Sequence, residues 1–242
     1  MVAKRDEVEF IIYRLDPTKD QEAYFVDYKV PVRPGMTVLD CLIHIQRELD
    51  PTLSVRYSCR FKICGSCAML VDGVQMLACE TQVSSLGSRI RVEPLPHFEV
   101  IKDLVVDIDP FLEQIEAAMP FIHPDPEVEA PRVDPEEFRK YRSPSGCIWC
   151  GACSSSCPIA ASEPYFLGPA ALAQIYRFVV DSRDLEETRR LRLARADSSA
   201  SGVWRCHHAF TCAEVCPKDI NPGQHIAQLR RLILRSRLIG RT

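Results

Sequence analysis

The first hundred residues carry alternating apolar and polar side chains, a pattern that is typical of β-strands. In residues 8–15, Val8, Phe10 and Ile12 alternate with other side chains, and residues 23–32 continue the alternation through tyrosine and valine. A period of two that is rich in aromatic and β-branched residues predicts strands with one buried face. This part of the chain is therefore predicted to be built on a sheet.

A helix, a hairpin and a last strand are predicted after these two strands. Thr37 and Asp40 have the spacing of a capping box, and leucine and isoleucine then recur at helical intervals up to residue 49. Asp72-Gly73 predicts a tight hairpin turn between two short strands. Residues 89–95 alternate again and predict the last strand. Strands with a single helix indicate a small α+β domain.

Beyond this domain, which we place at residues 1–105, the pattern changes twice. Residues 106–145 contain seven prolines, and only the segment 110–119 is predicted as a short helix. This stretch is therefore expected to be a proline-rich connector. Residues 146–242 show helical periodicity without a strand pattern. The helices predicted there are 168–184, with Pro169 in its first turn, 185–196, and 221–238, which Asn221 caps and Pro222 begins.

The charge balance and the start of the chain narrow the class of protein. A net charge of -3 and a pI near 6.1 lack the basic excess of nucleic-acid-binding proteins. No apolar run is long enough to span a bilayer, and the first residues have no apolar signal core. We therefore expect a cytosolic protein or one attached to a membrane through partners. Met1 and the lack of a transit peptide favour a prokaryotic source.

Twelve cysteines are the unusual part of the composition, and eleven of them lie in three groups. The groups occupy residues 59–79, 147–157 and 206–216, while Cys41 stands alone inside the first predicted helix. Disulfides are typical of secreted chains, whereas clustered cysteines in other chains more often bind metal. Cys41 is expected to be a buried structural thiol without a further role.

The first group has the C-x4-C-x2-C spacing of plant-type [2Fe–2S] ferredoxins, and a fourth cysteine follows after eleven further residues. Gly65 and Ser66 are small, so that backbone N–H groups can approach the cluster sulfurs. A structural zinc site is the alternative, but zinc favours two separated C-x2-C pairs. The spacing predicts that the [2Fe–2S] ligands are Cys59, Cys64, Cys67 and Cys79.

The second group is a complete C-x2-C-x2-C-x3-C-P run, and the third is the same run with one cysteine missing. In ferredoxins with two such runs, the fourth cysteine of each run serves the cluster of the other. This rule gives a [4Fe–4S] cluster the ligands Cys147, Cys150, Cys153 and Cys216. It leaves the third cluster with Cys157, Cys206 and Cys212.

Ala209 occupies the position where the third group lacks its cysteine. A cubane with three protein thiolates has one iron without a protein ligand, and loss of that iron gives the predicted [3Fe–4S] cluster. Two alternatives remain open. His207 or His208 could ligate the fourth iron, or a [4Fe–4S] cluster could carry water at the open corner.

These motifs together resemble the iron–sulfur subunit of succinate dehydrogenase or fumarate reductase, the respiratory complex II family. The resemblance covers nearly the whole chain and includes the segments 91–107, 167–184 and 216–222. It implies an α+β fold, in which a β-grasp plant-type [2Fe–2S] ferredoxin domain precedes an all-helical domain of the two-cluster bacterial ferredoxin type.

The resemblance also implies a function. A partner flavoprotein with covalent FAD would oxidise succinate to fumarate, and this chain would pass the electrons through [2Fe–2S], [4Fe–4S] and [3Fe–4S] to a quinone. Membrane-anchor subunits would hold the complex at the cytoplasmic face of a prokaryotic cell membrane. No catalytic residue is expected in this chain, because the dicarboxylate chemistry belongs to the flavoprotein.

Three other functions compete with this hypothesis. Fumarate reductase runs the same electron path in the opposite direction. The iron–sulfur subunit of another flavin-dependent reductase, such as a soluble one using thiols, often carries a long cysteine-rich extension, but this chain ends at Thr242 without one. A zinc scaffold without enzymatic function is the third, and iron with acid-labile sulfide would exclude it.

The same resemblance implies a quinone pocket beside the three-iron cluster, formed in part by Pro158, His207 and Ala209. This sequence has Ser162 near a position where a tryptophan is common in the family. His207 could instead form a hydrogen bond to a cluster sulfur.

The C-terminal stretch from Gly223 is basic throughout. It contains no acidic residue and five arginines: Arg230, Arg231, Arg235, Arg237 and Arg241. Contact with anionic lipid headgroups or with anchor subunits is one hypothesis. A solvated helix face with favourable charges near the helix C-terminus is the other.

Overall fold

A computed structural model describes residues 6–124, 126 and 133–238. The chain divides into two compact units. The first runs to Ile108 and includes Cys150–Ser155, and the second comprises Asp109–Trp149 together with the chain from Ser156 onward. Each unit is described by itself below.

The first unit is built on a five-stranded mixed sheet with the order β2-β1-β5-β3-β4. Within these strands the β1–β5 pair is parallel and the other neighbours are antiparallel. The core under the sheet contains Phe10, Ile12, Val30 and Ile90. The strands are β1 (Glu7–Arg14), β2 (Tyr24–Pro31), β3 (Ala68–Val71), β4 (Val74–Leu77) and β5 (Arg89–Glu93), which confirms the five predicted strands.

The predicted first helix is confirmed with its capping box. Helix α1 (Val38–His44) begins after Thr37, whose Oγ1 accepts the Asp40 N–H at 3.2 Å, while Asp40 accepts the Thr37 N–H at 2.9 Å. The helix continues as a wider π-helical turn over Ile45–Leu49. Cys41 is fully buried in it, and burial raises the pKa of its thiol to about 12, as expected for a structural cysteine.

The hairpin turn is confirmed, and residues 89–93 form a strand as predicted, but this strand is not the last one. Asp72 and Gly73 both have positive φ, 48° and 80°, as a type I′ turn requires. A second, two-stranded sheet follows β5 and consists of β6 (Val100–Lys102) and β7 (Val105–Val106). These strands are too short to show a period of two in the sequence.

A buried arginine anchors the chain just before the first cysteine group. Arg14 donates to Asp103 at 3.0 Å and to Tyr28 at 2.7 Å, and it pairs with Asp50. Asp103 also accepts the Ser54 N–H at 2.9 Å. A buried charge is tolerated only when it is paired in this way, and the network fixes the segment that leads into the cysteine loop.

The second unit is helical, and its central helix α6 is buried at every residue except Arg177. Helix α6 packs against α2, α3, α7 and α9. The α-helices that follow α1 in the described part of the chain lie in this unit, except for α4, which belongs to the first unit. They are α2 (Asp109–Ala117), α3 (Pro135–Ser145), α4 (Ala152–Ser155), α5 (Pro158–Ser162), α6 (Gly168–Val179), α7 (Glu186–Ala196), α8 (Thr211–Glu214) and α9 (Pro222–Leu238).

The prediction that the connector 106–145 holds one short helix is wrong, because α3 lies within it as well as α2. Asp134 caps α3 by accepting the N–H groups of Glu136 at 2.7 Å and Glu137 at 3.2 Å. Pro135 is the first helical residue. Proline interrupts a helix in its interior but favours the first position, where no N–H is needed.

The charged helix α7 contributes a side chain to the core of the second unit. Arg192 is fully buried, pairs with the buried Asp184 and donates to the carbonyls of Met119 at 2.8 Å and Phe121 at 2.6 Å. These bonds hold the chain that leaves α2. In the described part of the chain, no helix has both the length and the apolar character needed to cross a membrane.

Candidate metal centres

The loop that carries Cys59 folds so that several amides point at its sulfur. The N–H groups of Phe61, Ile63 and Cys64 lie 3.3, 3.4 and 3.3 Å from Cys59 Sγ. Arg60 and Lys62 alternate with them in the left-handed region, at φ 57° and 56°. Alternating right- and left-handed residues turn successive N–H groups to one side and create an anion-binding concavity, which suits a thiolate.

The next cysteine of this loop, Cys64, has a thiol whose ionised form is favoured by hydrogen bonds. Partial desolvation opposes the charge of Cys64, but the Ser66 hydroxyl at 3.0 Å and the amides of Cys59 and Ser66 outweigh it. The balance lowers the pKa of the Cys64 thiol to about 6. Metal ligands must be deprotonated, so these hydrogen bonds favour the form of the side chain that binds iron.

The β3–β4 hairpin brings the other two cysteines of the first group together. Cys67 directly precedes β3, and Cys79 follows two residues after β4. Ala78 donates its N–H to the Cys67 carbonyl at 3.0 Å. Burial raises the pKa of Cys67 to about 12, and contact with Cys79 and the charge of Cys64 contribute. The cysteines at 59, 64, 67 and 79 therefore form one continuous assembly.

Cys147 and Cys216 lie within electrostatic reach of each other in the second unit. Burial raises the pKa of Cys147, and Cys216 raises it further. The Trp149 N–H and the Gln174 side chain donate to the Cys147 sulfur and act in the opposite direction. This sulfur is thus supplied with donors that stabilise a thiolate once a metal neutralises its charge.

Cys150 and Cys153 belong to the first unit, on either side of a glycine with little room for a side chain. Gly151 has φ 79°, and a Cβ built on it would lie 3.2 Å from the Phe98 ring and 3.3 Å from Ile108. Cys153 lies within α4.

The three cysteines predicted for the third cluster line a small pocket in the second unit. Cys157 caps α5, Cys206 follows a 3-10 turn, and Cys212 lies in α8. Burial raises the pKa of Cys212 to about 11, and the nearby thiols of Cys157 and Cys206 raise it further. Burial likewise raises the pKa of Cys206. Burial and neighbouring thiols disfavour the ionisation of Cys206 and Cys212, and bound iron would supply a compensating positive charge.

The segment with Ala209 has the same backbone conformation as the complete run. In residues 147–151 the third and fifth positions, Trp149 and Gly151, have φ 53° and 79°. In residues 206–210 the same positions have φ 55° and 61°. Ala209 therefore occupies the place of Cys150 in a loop of unchanged shape.

Aromatic packing closes the pocket beside Ala209. Phe210 adopts its left-handed conformation against Gly223, where an added Cβ would lie 2.8 Å from the ring. The Gly223 N–H also donates to the Cys212 sulfur. Gly223 thus donates its amide to Cys212, and the absence of a side chain leaves space for the Phe210 ring.

The two histidines of this segment differ in environment. His207 is exposed, whereas His208 Nε2 lies 2.7 Å from the Arg230 guanidinium. A guanidinium has no acceptor, so His208 Nε2 must accept and the proton of the neutral ring is on Nδ1. With this tautomer neither nitrogen of His208 has a free lone pair for a fourth iron.

None of the twelve cysteines forms a disulfide. Among residues 6–124, 126 and 133–238, no three His, Cys, Asp or Glu side chains converge as ligands of a single ion. Iron–sulfur clusters do not require such convergence, because a [2Fe–2S] iron takes two cysteines and a cubane iron takes one. The four cysteines of the first set lie together, and so do Cys157, Cys206 and Cys212.

Comparison with known proteins agrees with this division. Residues 9–113 match the family model of a 2Fe-2S iron-sulfur cluster binding domain, and residues 143–220 match that of a 4Fe-4S dicluster domain. The fumarate reductase iron-sulfur subunit of Haemophilus influenzae is 38% identical over 231 residues, which cover 90% of this chain and 89% of the relative. The chain belongs to the family of succinate dehydrogenase and fumarate reductase iron–sulfur subunits.

Other members of this complex II family are similarly close. The mitochondrial succinate dehydrogenase [ubiquinone] iron-sulfur subunit 1 of Oryza sativa subsp. japonica is 41% identical over 233 residues, covering 93% of this chain and 82% of the relative. A chain of the Mycobacterium smegmatis Sdh1 complex in the apo form superposes with a TM-score of 0.84 at 26% identity, covering 95% of this chain and 96% of that one.

Membership in the family confirms the resemblance, the α+β fold class and the electron-transfer function predicted from the sequence. The family carries [2Fe–2S], [4Fe–4S] and [3Fe–4S] clusters. Sequence reasoning missed the Ser66 hydrogen bond to Cys64, the Arg230 bond to His208 and the packing of Phe210 on Gly223. Only Ser66 gave a signal, because it stands next to a cysteine of the motif, whereas the other two contacts depend on where α9 packs.

Proposed function

We propose that this chain is the iron–sulfur subunit of a succinate:quinone oxidoreductase, which carries electrons from the FAD of a flavoprotein to a membrane quinone. The observation that supports this best is the Ala209 segment, in which a ferredoxin loop of normal shape lacks one thiol beside a pocket lined by three others. Such a loop suits a three-iron cluster at the end of an electron path.

We assign the cluster ligands as the sequence predicts them. The assembly of four thiols around the β3–β4 hairpin supports the first set, and the pocket that Cys157, Cys206 and Cys212 line together supports the third. The sets are Cys59, Cys64, Cys67 and Cys79 for [2Fe–2S]; Cys147, Cys150, Cys153 and Cys216 for [4Fe–4S]; and Cys157, Cys206 and Cys212 for [3Fe–4S].

The clusters, when bound, supply reversible one-electron steps, and the residues of this chain set their environment. Amides hold the thiolate of Cys59, the Ser66 hydroxyl holds that of Cys64, and Gln174 donates to Cys147. Donors to the sulfurs and burial of the thiols are the means by which a protein tunes cluster potential.

The quinone pocket is proposed at Pro158, His207 and Ala209. All three line the pocket of the third cysteine set, and the exposed His207 can reach a ligand from outside. Ser162, near the place of the family's tryptophan, turns its hydroxyl back to the Pro158 carbonyl at 3.1 Å. Ser162 therefore contributes no free polar group to a quinone.

The proposed partners are a flavoprotein with covalent FAD and membrane-anchor subunits, at the cytoplasmic face of a prokaryotic cell membrane. The family relationship to subunits of complex II supports these partners. A basic groove of about 610 Å³ supports a contact with anionic lipid headgroups. Its charged lining residues are Lys140, Arg189, Arg190, Arg231, Arg235 and Glu186.

Replacing His207 with Phe in the purified complex tests the quinone pocket. We expect slower reduction of quinone by succinate, because a polar contact to the quinone is lost, while reduction of an artificial dye that accepts electrons from the flavoprotein is unchanged. Quinone turnover equal to that of the unmodified complex would refute the pocket. The native complex must also show acid-labile sulfide and the EPR signal of an oxidised [3Fe–4S] centre.

Fumarate reductase is the second candidate, and the 38% identity to the Haemophilus influenzae subunit supports it. The two functions share the same cluster path, so the iron–sulfur chain does not decide the direction. Comparing succinate oxidation with a high-potential quinone and fumarate reduction with a low-potential quinol in the same purified complex distinguishes them.

A further inference from the structure

His208 has a buried ring nitrogen without a hydrogen-bond partner. Among the described residues, no group accepts from or donates to Nδ1, although this atom is shielded from solvent. A buried polar atom that lacks a partner destabilises the folded protein. Such an atom beside a metal site indicates that its partner is the group the site holds.

Arg230 determines which tautomer the His208 ring adopts. Its guanidinium donates to the carbonyls of Val203 at 2.6 Å and Cys206 at 2.5 Å, which fix it on the third cysteine segment. The remaining nitrogen donates to His208 Nε2 at 2.7 Å. The neutral imidazole therefore carries its proton on Nδ1, so the nitrogen without a partner is a donor in need of an acceptor.

The pocket offers this donor a set of sulfur acceptors. His208 lines the pocket together with the three thiols, and its backbone N–H lies 3.4 Å from Cys206 Sγ. Thr211, which also lines the pocket, already donates its hydroxyl to the Ser156 carbonyl at 2.9 Å. Most of the remaining lining is apolar, including Phe166 and Ile226. Sulfur is thus the acceptor that the three-cysteine set provides.

We infer that His208, oriented by Arg230, donates its Nδ1–H to a sulfur of the [3Fe–4S] cluster and raises the reduction potential of that cluster. The inference rests on the proposed function and assigns the sulfur hydrogen bond to His208 rather than to His207. Reduction makes the cluster more negative, and a donor stabilises the more negative form. The midpoint potential is therefore higher with the hydrogen bond than without it.

The test is a potentiometric EPR titration of the intact complex with His208→Phe. We expect the midpoint potential of the [3Fe–4S] centre to fall, while those of the [2Fe–2S] and [4Fe–4S] centres stay unchanged as internal controls. His208→Asn, which keeps an N–H donor near the position of Nδ1, should restore part of the shift. The matched control His207→Phe should leave this potential unchanged.

A second measurement avoids any folding defect of the variants. In the unmodified complex with ¹⁵N-labelled histidine, pulsed EPR of the oxidised [3Fe–4S] centre should show coupling to a histidine nitrogen and to an exchangeable proton. Absence of both couplings would overturn the inference, as would an unchanged midpoint potential in His208→Phe. Slower quinone reduction with an unchanged potential would likewise overturn it, because the quinone would then be the acceptor.

The two proposals fail in different ways. If the unmodified complex lacks a [3Fe–4S] signal, the proposed cluster set itself is wrong. If the signal is present and its potential is independent of His208, only the role of His208 is wrong.

Discussion

Two loops of this molecule have nearly the same backbone and differ in one thiol. Residues 147–151 and 206–210 both place left-handed residues at the third and fifth positions, with φ 53° and 79° in the first loop and 55° and 61° in the second. The first has Cys150 at the fourth position and the second has Ala209. The comparison teaches that the two loops differ in the side chain at the fourth position while they share left-handed residues at the third and fifth.

The fifth positions of the two loops show how the same conformation is reached differently. Gly151 adopts positive φ without a steric penalty, whereas a residue with a Cβ, such as Phe210, costs about 1–2 kcal/mol there. The Phe210 ring packs on Gly223 and closes the pocket, which offsets that cost. The incomplete loop thus has the Phe210 ring packed over the pocket, whereas the complete loop has a glycine at the same position.

The largest expected effect comes from restoring the thiol with Ala209→Cys. Because the loop already has the shape of residues 147–151, the new sulfur should bind a fourth iron and convert the third centre to [4Fe–4S]. The EPR signal of the oxidised [3Fe–4S] centre should disappear, and iron analysis should find one more iron per chain. Ala209→Val, which adds volume without a ligand, should keep the three-iron signal.

An unchanged three-iron signal in Ala209→Cys would contradict the equivalence of the loops. The fourth position of the second loop would then point away from the cluster, and Ala209 would no longer explain the three-iron centre.

The converse change, Cys150→Ala, should leave the complete loop without a thiol at its fourth position, as in the incomplete loop. We expect the second centre to lose one iron and to show a [3Fe–4S]-type signal in the oxidised complex, with lower activity because the electron path is altered. Cys41→Ala removes a buried thiol outside the three sets and should leave all cluster spectra unchanged. Complete loss of the second centre in Cys150→Ala would show that this loop, unlike the other, needs its thiol for assembly.

The cysteine motifs of both loops could be predicted from the sequence, because the spacing of the ligands is set over a few residues. The cap of α1 at Thr37 could be predicted for the same reason. Helix α3 was missed although its signal is local, because Pro135 was interpreted as a break and not as a helix start. The buried Arg192 could not be predicted, since its partners include carbonyls of Met119 and Phe121, which lie far away along the chain.

The same distinction, between local signals and contacts from distant parts of the chain, applies to the candidate sites. Each set of cysteine ligands could be proposed from spacing, but the difference between His207 and His208 could not. The tautomer of His208 depends on Arg230, which lies 22 residues further along the chain and reaches the loop only because α9 packs beside it. In the sequence, Arg230 is one member of a basic stretch.

A moderate effect is expected from Gly223→Ala, which tests the cover of the incomplete loop. The added Cβ lies 2.8 Å from the Phe210 ring, and overpacking of this kind costs about 1–3 kcal/mol. The melting temperature of the complex should fall, and the third centre should become more sensitive to oxidants as the ring moves. The double variant Phe210→Ala/Gly223→Ala should recover stability relative to Gly223→Ala. If it does not, the ring is not what the Cβ displaces.

The smallest expected effect is that of Gly151→Ala in the complete loop. Its left-handed φ of 79° costs an alanine about 1–2 kcal/mol, and the new Cβ would lie 3.2 Å from the Phe98 ring, which can shift. We expect a modest fall in melting temperature with intact cluster spectra. Gly87→Ala in the same unit is the matched control, since its Cβ would meet backbone atoms no closer than 3.5 Å and should be nearly neutral. Equal melting temperatures of Gly151→Ala and that control would show that the complete loop tolerates a Cβ at positive φ, as the incomplete loop does at Phe210. The different residues at the fifth positions of the two loops would then reflect packing rather than backbone conformation.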